Sequence, residues 1–582
     1  MNKYRAYWPL DDAPQPFGDG SFTGVNALLD PAILQPGEVA SAINCRFDEG
    51  RAATRKGIRI MSWGAPGYQA VNPSLVLPYP SPILAESYAD PYGHEWLVIV
   101  TAGAVYKAQT GSRGSVMPMP VGTHLEEAVD LIQTYNGMVM LRGAVHDPIY
   151  MKDVDEGWLA LPSPDAGKEA IPPSLQGLYF QNRLFTVDAR TGSQYVDTIW
   201  VSDAGGVGST LQGDSVYQSY KINAGSSDRL RGIAKFNETT LICGKERSIY
   251  ALSNIVGTNQ DIAENAVLSE VTRQYGCIAP RSFVQVGKDL WFLGHKRGVC
   301  SIVQTETNAL QGVDVPVSRP IQPLIDRINW EHAEDARAAA HDNRVYFAVP
   351  LDDSTTNNAI LVYSTLTQKW AGYDYSSSTR VLDFVKFTYA GAVRQGFVSE
   401  DGFICLYEDG YYDQAGDNTG VVTNNPIVTT VTTRGYAGEA SGHKRCFRAS
   451  ARLASWNGQY TVRALPNGYN EGKTVKSVTK SNTRYMRPYG AAAWDATNGD
   501  DDWNTPWRED YSSVMGGVQV TDSDGDGTMA FDVLQETEEI WPIPGVSAGH
   551  VQLEFASSRG RLEVIGAKLD SRRGRTAENK HA

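Results

Sequence analysis

Between about residue 80 and residue 410 the chain repeats one pattern, in which a short apolar run, a polar turn and a second apolar run follow one another. Asn-Gly or Asp-Gly between such runs is the strongest short-range signal of a β-hairpin, and Gln-Asn, Gly-Lys and Asp-Asn are weaker signals. The pattern therefore predicts a series of hairpins. The clearest examples are WLVIVTAGAVYKA, LIQTYNGMVMLRG, LYFQNRLFTVD, FVQVGKDLWFLG, AAAHDNRVYFAVP and FVSEDGFICLYEDG.

These hairpins recur at a roughly constant interval. Four-stranded propeller blades have about this period, so the sequence predicts an all-β fold with a β-propeller of about six to eight blades at residues 80–416. The alternative is a set of unrelated hairpins in two ordinary β domains, because the repeats share a pattern but little residue identity. Comparable strand ends lie 44 to 60 residues apart, at Tyr106, Tyr150, Trp200, Tyr250, Ile302, Val362 and Tyr407.

Length and composition agree with a β-rich chain that has either more than one core or one large closed architecture. The 582 residues exceed the usual size of one domain, and 56 Gly, 29 Pro and 29 Tyr favour turns and strands. Two segments, 126–132 and 318–340, have some helical periodicity and predict short helical excursions between strands. The formal charge of −14 opposes general nucleic-acid binding, although an acidic wall would leave DNA mobile in a passage.

The composition changes after the predicted propeller. Residues 417–426, DNTGVVTNNP, are predicted to form a linker. The alternating runs that follow predict a β-sandwich-like domain at residues 427–571, with an irregular Trp-rich insert at 480–515. The basic and polar end, residues 572–582, predicts a disordered tail.

Metal-binding patterns are nearly absent from the sequence. The six cysteines lack the spacing of a zinc site and are predicted to be buried free thiols. Asp522, Asp524 and Asp526 match the first half of a calcium loop, but Val533 stands where the loop would need Glu. A calcium-stabilised β loop and a solvated hairpin tip both fit this pattern, and we favour the hairpin tip. We therefore predict no cofactor.

No motif of a catalytic site is present in the sequence. It contains no nucleophile elbow, and the glycine-rich DAGGVGST lacks the Lys of a phosphate-binding loop, so we predict no enzymatic activity. No apolar stretch approaches the roughly 20 residues that would span a bilayer, and the first residues lack the pattern of a signal peptide. We therefore expect assembly in a reducing cytoplasm.

The N-terminal segment 24–59 carries the most specific pattern, with an Asp-Pro turn, an edge strand and Arg55, which is available to pair across a subunit or a strand. This pattern resembles the opening of the tail nozzle and tail tubular proteins of podoviruses, and more loosely that of phage proteins that stabilise packaged DNA. The alternative is an ordinary turn-strand segment. The residues that carry the resemblance are Gly24, Asn26, Asp30, Pro31, Pro36, Gly37, Glu38, Asn44, Arg55 and Gly57.

The resemblance implies a structural protein of the bacteriophage virion, assembled in the host cytoplasm. Six copies would form a tail tube below a dodecameric head-tail adaptor, with tail fibres or spikes attached outside. Double-stranded DNA would pass through the lumen during ejection without sequence-specific binding, and the tube would retain packaged DNA before that. Residues 1–79 would help to close the propeller or would contact other subunits and the adaptor. The insert at 480–515 has no counterpart in this family.

Two other functions compete with this one. A receptor-binding or polysaccharide-degrading tail spike would also be β-rich and acidic, but it predicts trimers and a β-helix period or a carboxylate-lined groove, which the sequence does not show. A propeller scaffold for non-viral protein partners is opposed only by the N-terminal resemblance. Six-fold assembly would favour the first function, three-fold assembly the second and a monomer the third.

Overall fold

The structure is a computed structural model that describes residues 15–61, 82–109, 115–120, 122–205, 211–225, 227–305, 315–389, 391–416, 422–436, 444–467, 473–479, 483–486, 518–521, 527–532 and 535–573. Strands dominate these residues, which confirms the predicted all-β class. No helix in these ranges is both long and apolar enough to cross a membrane. The helices whose bounds are defined are Pro31–Ile33, Asp48–Gly50, Asn259–Asn265, Pro280–Ser282, Arg319–Ile321, Gln322–Ile325 and Ala333–Asp335.

Seven antiparallel sheets follow one another along the described part of residues 82–407, and we name them blades 1 to 7. Blades 1 and 2 contain the strands Pro82–Ala89, Glu95–Thr101, Val105–Ala108 and Ser115–Val116, then Asp130–Thr134, Gly137–Arg142, His146–Met151 and Trp158–Ala160. Blades 3 and 4 contain Ser174–Phe180, Arg183–Asp188, Thr198–Val201 and Ser219–Lys221, then Leu230–Asn237, Thr240–Lys245, Ile249–Ser253 and Val267–Thr272. Blades 5 to 7 contain Val284–Val286, Asp289–Gly294 and Gly298–Ser301, then Arg337–His341, Arg344–Val349, Ala359–Ser364 and Lys369–Tyr375, then Val381–Tyr389, Ala392–Ser399 and Ile404–Tyr407. A small ribbon, Lys168–Ala170 with Gln212–Asp214, accompanies blade 3.

The seven blades close into a ring. The first strand of each blade contacts the first strand of the next, except that Pro280–Ser282 makes the contact between blades 4 and 5. The first strand of blade 7 in turn contacts that of blade 1. Apolar side chains fill the space between neighbouring blades, as Phe387 and Leu406 of blade 7 do against Leu97 and Ile99 of blade 1. The predicted β-propeller is therefore confirmed, with a blade count inside the predicted range.

Local turn chemistry explains why these hairpins form where the sequence predicts them. Gln181 and Asn182 have φ of 51° and 56°, and Asp342 and Asn343 have φ of 45° and 59°. Two consecutive left-handed residues make a type I′ turn, whose twist matches that of the flanking strands. Asn and Asp tolerate this conformation better than most residues, so the Gln-Asn and Asp-Asn pairs set the register of blades 3 and 6.

A strand from the N-terminal segment completes blade 7. Ile58–Ile60 pairs antiparallel with Ile404–Tyr407 and, on its other side, parallel with Tyr412–Gly416. Val422–Pro426 continues this sheet, so part of the stretch 417–426 that we expected to be a linker is a strand. Residues 417–421 lie outside the described ranges. The last blade thus combines segments that are about 350 residues apart in the sequence.

The C-terminal part is built on two long antiparallel strands, Lys444–Pro466 and Val551–Arg573. Lys444 lies opposite Ala548, and Pro466 lies opposite Val551, although Ala548 and Val551 are close in the sequence. The strand must therefore curl until its two ends approach each other, and the register shifts between Trp456 and Tyr460 mark the bend. Strands that turn such corners pass from one layer of a β-sandwich to the other.

Blade 6 and the C-terminal part share one sheet. Lys369–Tyr375 of blade 6 is followed by Gly24–Val25, Glu38–Ile43 and Thr429–Thr433, and then by the long strands. One apolar core runs beneath all of these strands. The propeller and the C-terminal domain are therefore continuous in both sheet and core. The remaining strands are Gln15–Asp19, Cys45–Arg46, Ala52–Thr54, Lys473–Thr479, Thr483–Met486, Val518–Thr521, Gly527–Asp532 and Gln535–Ala548.

Candidate functional site

The N-terminal motif begins with two local turn structures. The backbone N–H of Glu38 donates to the Gln35 carbonyl at 3.0 Å, with Pro36 and Gly37 between them and Gly37 at φ 84°. This is the arrangement of a type II turn, which favours Pro at its second position and Gly at its third. The Asp30 carboxylate accepts the N–H of Ala32 at 2.8 Å and caps the helical turn that Pro31 begins.

The next motif residues bind the N-terminal strand to blade 6. Lys369 Nζ donates to Glu38 Oε1 at 2.8 Å, and Asn26 Nδ2 donates to Glu38 Oε2 at 3.2 Å. Burial acts to raise the pKa of Glu38, but the hydrogen bond and charge of Lys369 outweigh it, so the pKa lies below its usual value. Gly24 has no room for a side chain, because a Cβ there would lie 2.6 Å from Lys369 Cβ.

The side chain of Asn44 makes four hydrogen bonds. Its Nδ2 donates to the carbonyls of Tyr375 and Val428 at 2.9 and 2.7 Å, and its Oδ1 accepts from Tyr375 N–H and from Arg55 Nε, both at 3.0 Å. These partners belong to blade 6, to the start of the C-terminal domain and to the N-terminal segment itself. Asn44 has φ of 54°, a left-handed conformation that Asn adopts more readily than most residues. Its side chain therefore joins three parts of the chain.

Arg55 is fully buried beside Asn44. Its Nη1 and Nη2 donate to the two carboxylate oxygens of Asp413 at 2.8 and 2.6 Å, and its Nη1 also donates to the Lys56 carbonyl at 2.9 Å. Gly57 must be a glycine, because a Cβ there would overlap the Tyr412 carbonyl. Arg55 therefore fixes the position of the strand that completes blade 7.

A second buried arginine, which the sequence analysis did not single out, completes this arrangement. Arg46 Nη1 and Nη2 donate to Asp374 Oδ1 and Oδ2 at 3.0 and 2.6 Å, and Arg46 Nε donates to Glu408 at 2.6 Å. The Tyr407 hydroxyl donates to Asp374. Asp374 lies in blade 6, whereas Tyr407 lies in blade 7. We name Asn44, Arg46, Arg55, Asp374, Tyr407, Glu408 and Asp413 the buried joint.

The charges of the buried joint stabilise one another. Burial acts to raise the pKa of Asp374, but the charges of Arg46 and Arg55 outweigh it and hold the pKa below its usual value. Burial likewise acts to lower the pKa of Arg55, and the charges of Asp413 and Asp374 raise it instead. Every charge is thus kept only while its partners stay in place. Removing one partner of such a pair leaves an uncompensated buried charge, which is strongly destabilising.

A second ionic group lies on the axis of the propeller. Arg281, just before blade 5, donates to Asp130 of blade 2 at 2.9 Å and to Asp383 of blade 7 at 3.1 Å. A side chain that reaches these blades from blade 5 must cross the middle of the ring, so Arg281 obstructs the ring's own axis. Burial and the nearby charges of Asp383 and Asp130 raise the pKa of Glu86 in blade 1 to about 8.

The remaining predicted site lies beyond the described residues. Asp522, Asp524 and Asp526 are in this part of the chain, as is the insert at 480–515 apart from 483–486. Among the described residues, no group of three or more His, Cys, Asp or Glu side chains is arranged to hold a metal ion. The six cysteines are buried free thiols, as predicted, and burial raises the pKa of Cys243 to about 12.

Comparison with known proteins adds little to this description. Neither a protein-family profile nor a curated protein sequence matches the chain. Among solved structures, the chain is similar to YCF48 bound to D1 peptide, with 10% identity over 63% of this chain and 97% of that chain and a TM-score of 0.35. It is also similar to the WD40 β-propeller domain of Doa1, with 7% identity over 61% of this chain and 96% of that chain and a TM-score of 0.34. Its similarity to streptogramin B lyase has 13% identity over 60% of this chain and 97% of that chain and a TM-score of 0.34. Scores this low carry no inference about function, and the propeller assignment rests on the strand topology.

Proposed function

We propose that this protein is a subunit of the tail nozzle of a short-tailed bacteriophage, and that its function is structural. The observation that carries the proposal is the buried joint. Asn44 and Arg55 belong to the motif that resembles podovirus tail proteins, and both lie where the propeller meets the C-terminal domain. The motif is thus used to make a multi-domain unit rigid.

Rigidity is the property that the wall of a DNA channel needs. A bidentate Arg–carboxylate pair holds its partners in one geometry, and the buried joint contains two such pairs. Any rotation of the C-terminal domain against blade 6 would also break the sheet that the two parts share. Packaged DNA would therefore press on a wall in which the propeller and the C-terminal domain act as one rigid body.

The proposed assembly places six copies around the DNA. The adaptor would bind at one end of this ring, and tail fibres or spikes would bind on its outer face. The ring formed by the six copies, not the propeller axis, would carry the duplex, since Arg281 crosses that axis. The formal charge of −14 would keep the wall from trapping the phosphate backbone.

Electron microscopy of phage particles made without this gene tests the proposal. We expect empty or leaking capsids with a truncated tail, and rescue by the gene supplied in trans. Full and stable particles with complete tails that fail only to adsorb would contradict the proposal and favour a receptor-binding spike.

The oligomeric state gives a second and independent test. The purified protein, mixed with its adaptor, is expected to form rings of six copies that mass photometry and negative-stain microscopy can count. A trimer would contradict the nozzle and favour the spike, and a monomer under all conditions would favour a propeller scaffold.

A further inference from the structure

A charged cleft of about 430 Å³ opens next to the buried joint. It lies where residues 46–56 of the N-terminal segment meet blades 6 and 7 and the long strand Val551–Arg573. Seven of its 18 lining residues are Arg or Lys, compared with 52 of 582 in the whole chain. A strongly acidic protein thus gathers cations from distant parts of its sequence into one concave surface.

Arginines of the wall already neutralise three of its acidic side chains. Arg344 pairs with Asp48 at 2.5 Å, and Arg51 and Arg561 pair with Glu563 at 3.2 and 2.9 Å. Glu408 is held by Arg46 of the buried joint. The other two acids of the lining, Glu49 and Asp342, are exposed to solvent. These pairs leave further cations of the cleft available to a ligand.

The side chains of two cations of the cleft make no hydrogen bond or ion pair within the part of the chain that the structure describes. They are Lys56 and Arg394. Burial lowers the pKa of His341 in the same wall, the charges of Lys386, Arg394 and Arg344 lower it further, and the charge of Asp342 raises it. The lining has seven Arg and Lys side chains against five Asp and Glu side chains, and this excess of positive charge suits an anion.

Two buried polar atoms of the lining also lack a partner among the described residues. One is a donor, Arg561 Nε, and the other is an acceptor, Gln395 Oε1. Gln395 is only 3% exposed, and its Nε2 donates to the carbonyls of Val385 and Gly396 at 3.2 and 2.8 Å, which fixes the orientation of the amide. Buried polar atoms of folded proteins are almost always paired. The lining residues thus include one unused donor and one unused acceptor, both covered by their neighbours, in addition to the two free cations.

We infer that the cleft is a binding site for an oxyanion that keeps a proton at neutral pH, the class to which inorganic phosphate belongs. The phosphate oxygens would accept from Arg394 and Lys56. Shifts of the neighbouring side chains would uncover Arg561 Nε as a further donor and Gln395 Oε1 as the acceptor of the phosphate hydroxyl. Sulfate has the same shape but no proton at neutral pH, so it would leave Gln395 Oε1 unpaired. A DNA phosphodiester also lacks this hydroxyl, so the inference is independent of the proposed tail function.

Titration calorimetry of the full chain at pH 7.5 and constant ionic strength, with phosphate and sulfate as probes, tests the inference. We expect saturable binding of one phosphate and at least about tenfold weaker binding of sulfate, because a site built to accept a hydrogen bond rejects an analogue that lacks the donor. Arg394→Gln should weaken phosphate binding about tenfold, because a charge-assisted hydrogen bond is lost. The exposed Lys221→Gln in blade 3 is the matched control and should bind as the wild type does.

A further pair of variants separates loss of the site from loss of the fold. Gln395→Met should bind phosphate and sulfate with equal affinity. Arg561→Lys keeps the charge but removes Nε, and it should bind both anions more weakly. Melting curves establish that each variant is folded. Equal wild-type affinity for the two anions, no saturable binding, or unchanged binding by Arg394→Gln would overturn the inference.

Discussion

The variant Arg55→Met tests the central claim that the buried joint holds the molecule together. Methionine is close to arginine in length and packs well in an apolar site, but it cannot donate. The substitution would leave both oxygens of Asp413 without the donors that now lie at 2.8 and 2.6 Å. It would also remove one of the two donors to Asn44 Oδ1. Cavity formation is small, so the measured effect reports mainly the loss of charge pairing.

The size of the effect follows from burial. Both Arg55 and Asp413 are essentially inaccessible to solvent, so water cannot replace the missing partner. Removing one member of a buried pair usually lowers the free energy of unfolding by about 3–5 kcal/mol. Removing both members with apolar residues, as in Arg55→Met with Asp413→Leu, leaves no unpaired charge, and we expect a loss of less than about 2 kcal/mol. The double variant should therefore be more stable than Arg55→Met alone.

Urea unfolding followed by tryptophan fluorescence measures these differences. Arg59→Met is the matched control, because Arg59 lies four residues further along the same segment and its side chain is 53% exposed beside Asp409. An exposed ion pair contributes less than about 1 kcal/mol, so this variant should unfold nearly as the wild type does.

Two results would refute the reasoning. One is a loss of less than about 1 kcal/mol for Arg55→Met, which would mean that water or a rearranged side chain replaces the guanidinium. The other is a double variant as unstable as the single one, which would mean that packing and not charge pairing dominates at this position.

Three further predictions concern other parts of the fold. Because the folded pKa of Glu86 is about 8, above its ordinary value of 4.5, its stabilising contribution is complete below pH 4.5 and is lost as the pH rises to 8. Because one pKa unit corresponds to about 1.4 kcal/mol, Glu86→Gln should be more stable than the wild type by up to about 4 kcal/mol at pH 8 and nearly equal to it at pH 4.5; a difference in stability between the two proteins that does not change over this range would contradict this. Gly57→Ala should lower stability by about 1–3 kcal/mol because its Cβ overlaps the Tyr412 carbonyl, whereas Gly20→Ala, with open space around it, should not; equal melting temperatures would disprove the overlap. Asn343→Ala in the blade 6 turn should lose about 1–2 kcal/mol, and Asn343→Gly should retain its stability, in thermal unfolding; a reversed order would rule out the left-handed turn as the cause.

The sequence predicted those parts of the fold that depend on residues close to one another in the sequence. The Gln-Asn and Asp-Asn pairs lie within the hairpins that they form, so their turn preference could be read directly. Helical periodicity at 126–132 was misleading, because Asp130 begins the first strand of blade 2 and pairing with Gly137–Arg142 overrides the local pattern. The segment 318–340 forms only short helical turns before the first strand of blade 6.

The buried joint could be predicted only in part. Asn44 and Arg55 were found through the resemblance, and Arg55 was expected to pair across a subunit or a strand. Their partners were not predicted, since these lie more than 300 residues away. Arg46 and Asp374 carried a local signal that was missed, namely a charge inside an otherwise buried strand. Such a charge needs a partner of opposite sign, yet one sequence does not say which of many candidates supplies it.

The strand Ile58–Ile60 has a consequence for how the protein is made. It is synthesised early but pairs with Ile404–Tyr407, which leaves the ribosome about 350 residues later. At the usual rate of about 5–20 residues per second, the interval is roughly 20–70 s. During this time the N-terminal strand has no partner in blade 7, and Arg55 has no carboxylate from Asp413. Blade 7 is therefore completed only after residue 407 has been synthesised, and the nascent chain must stay soluble with an unpaired strand edge until then.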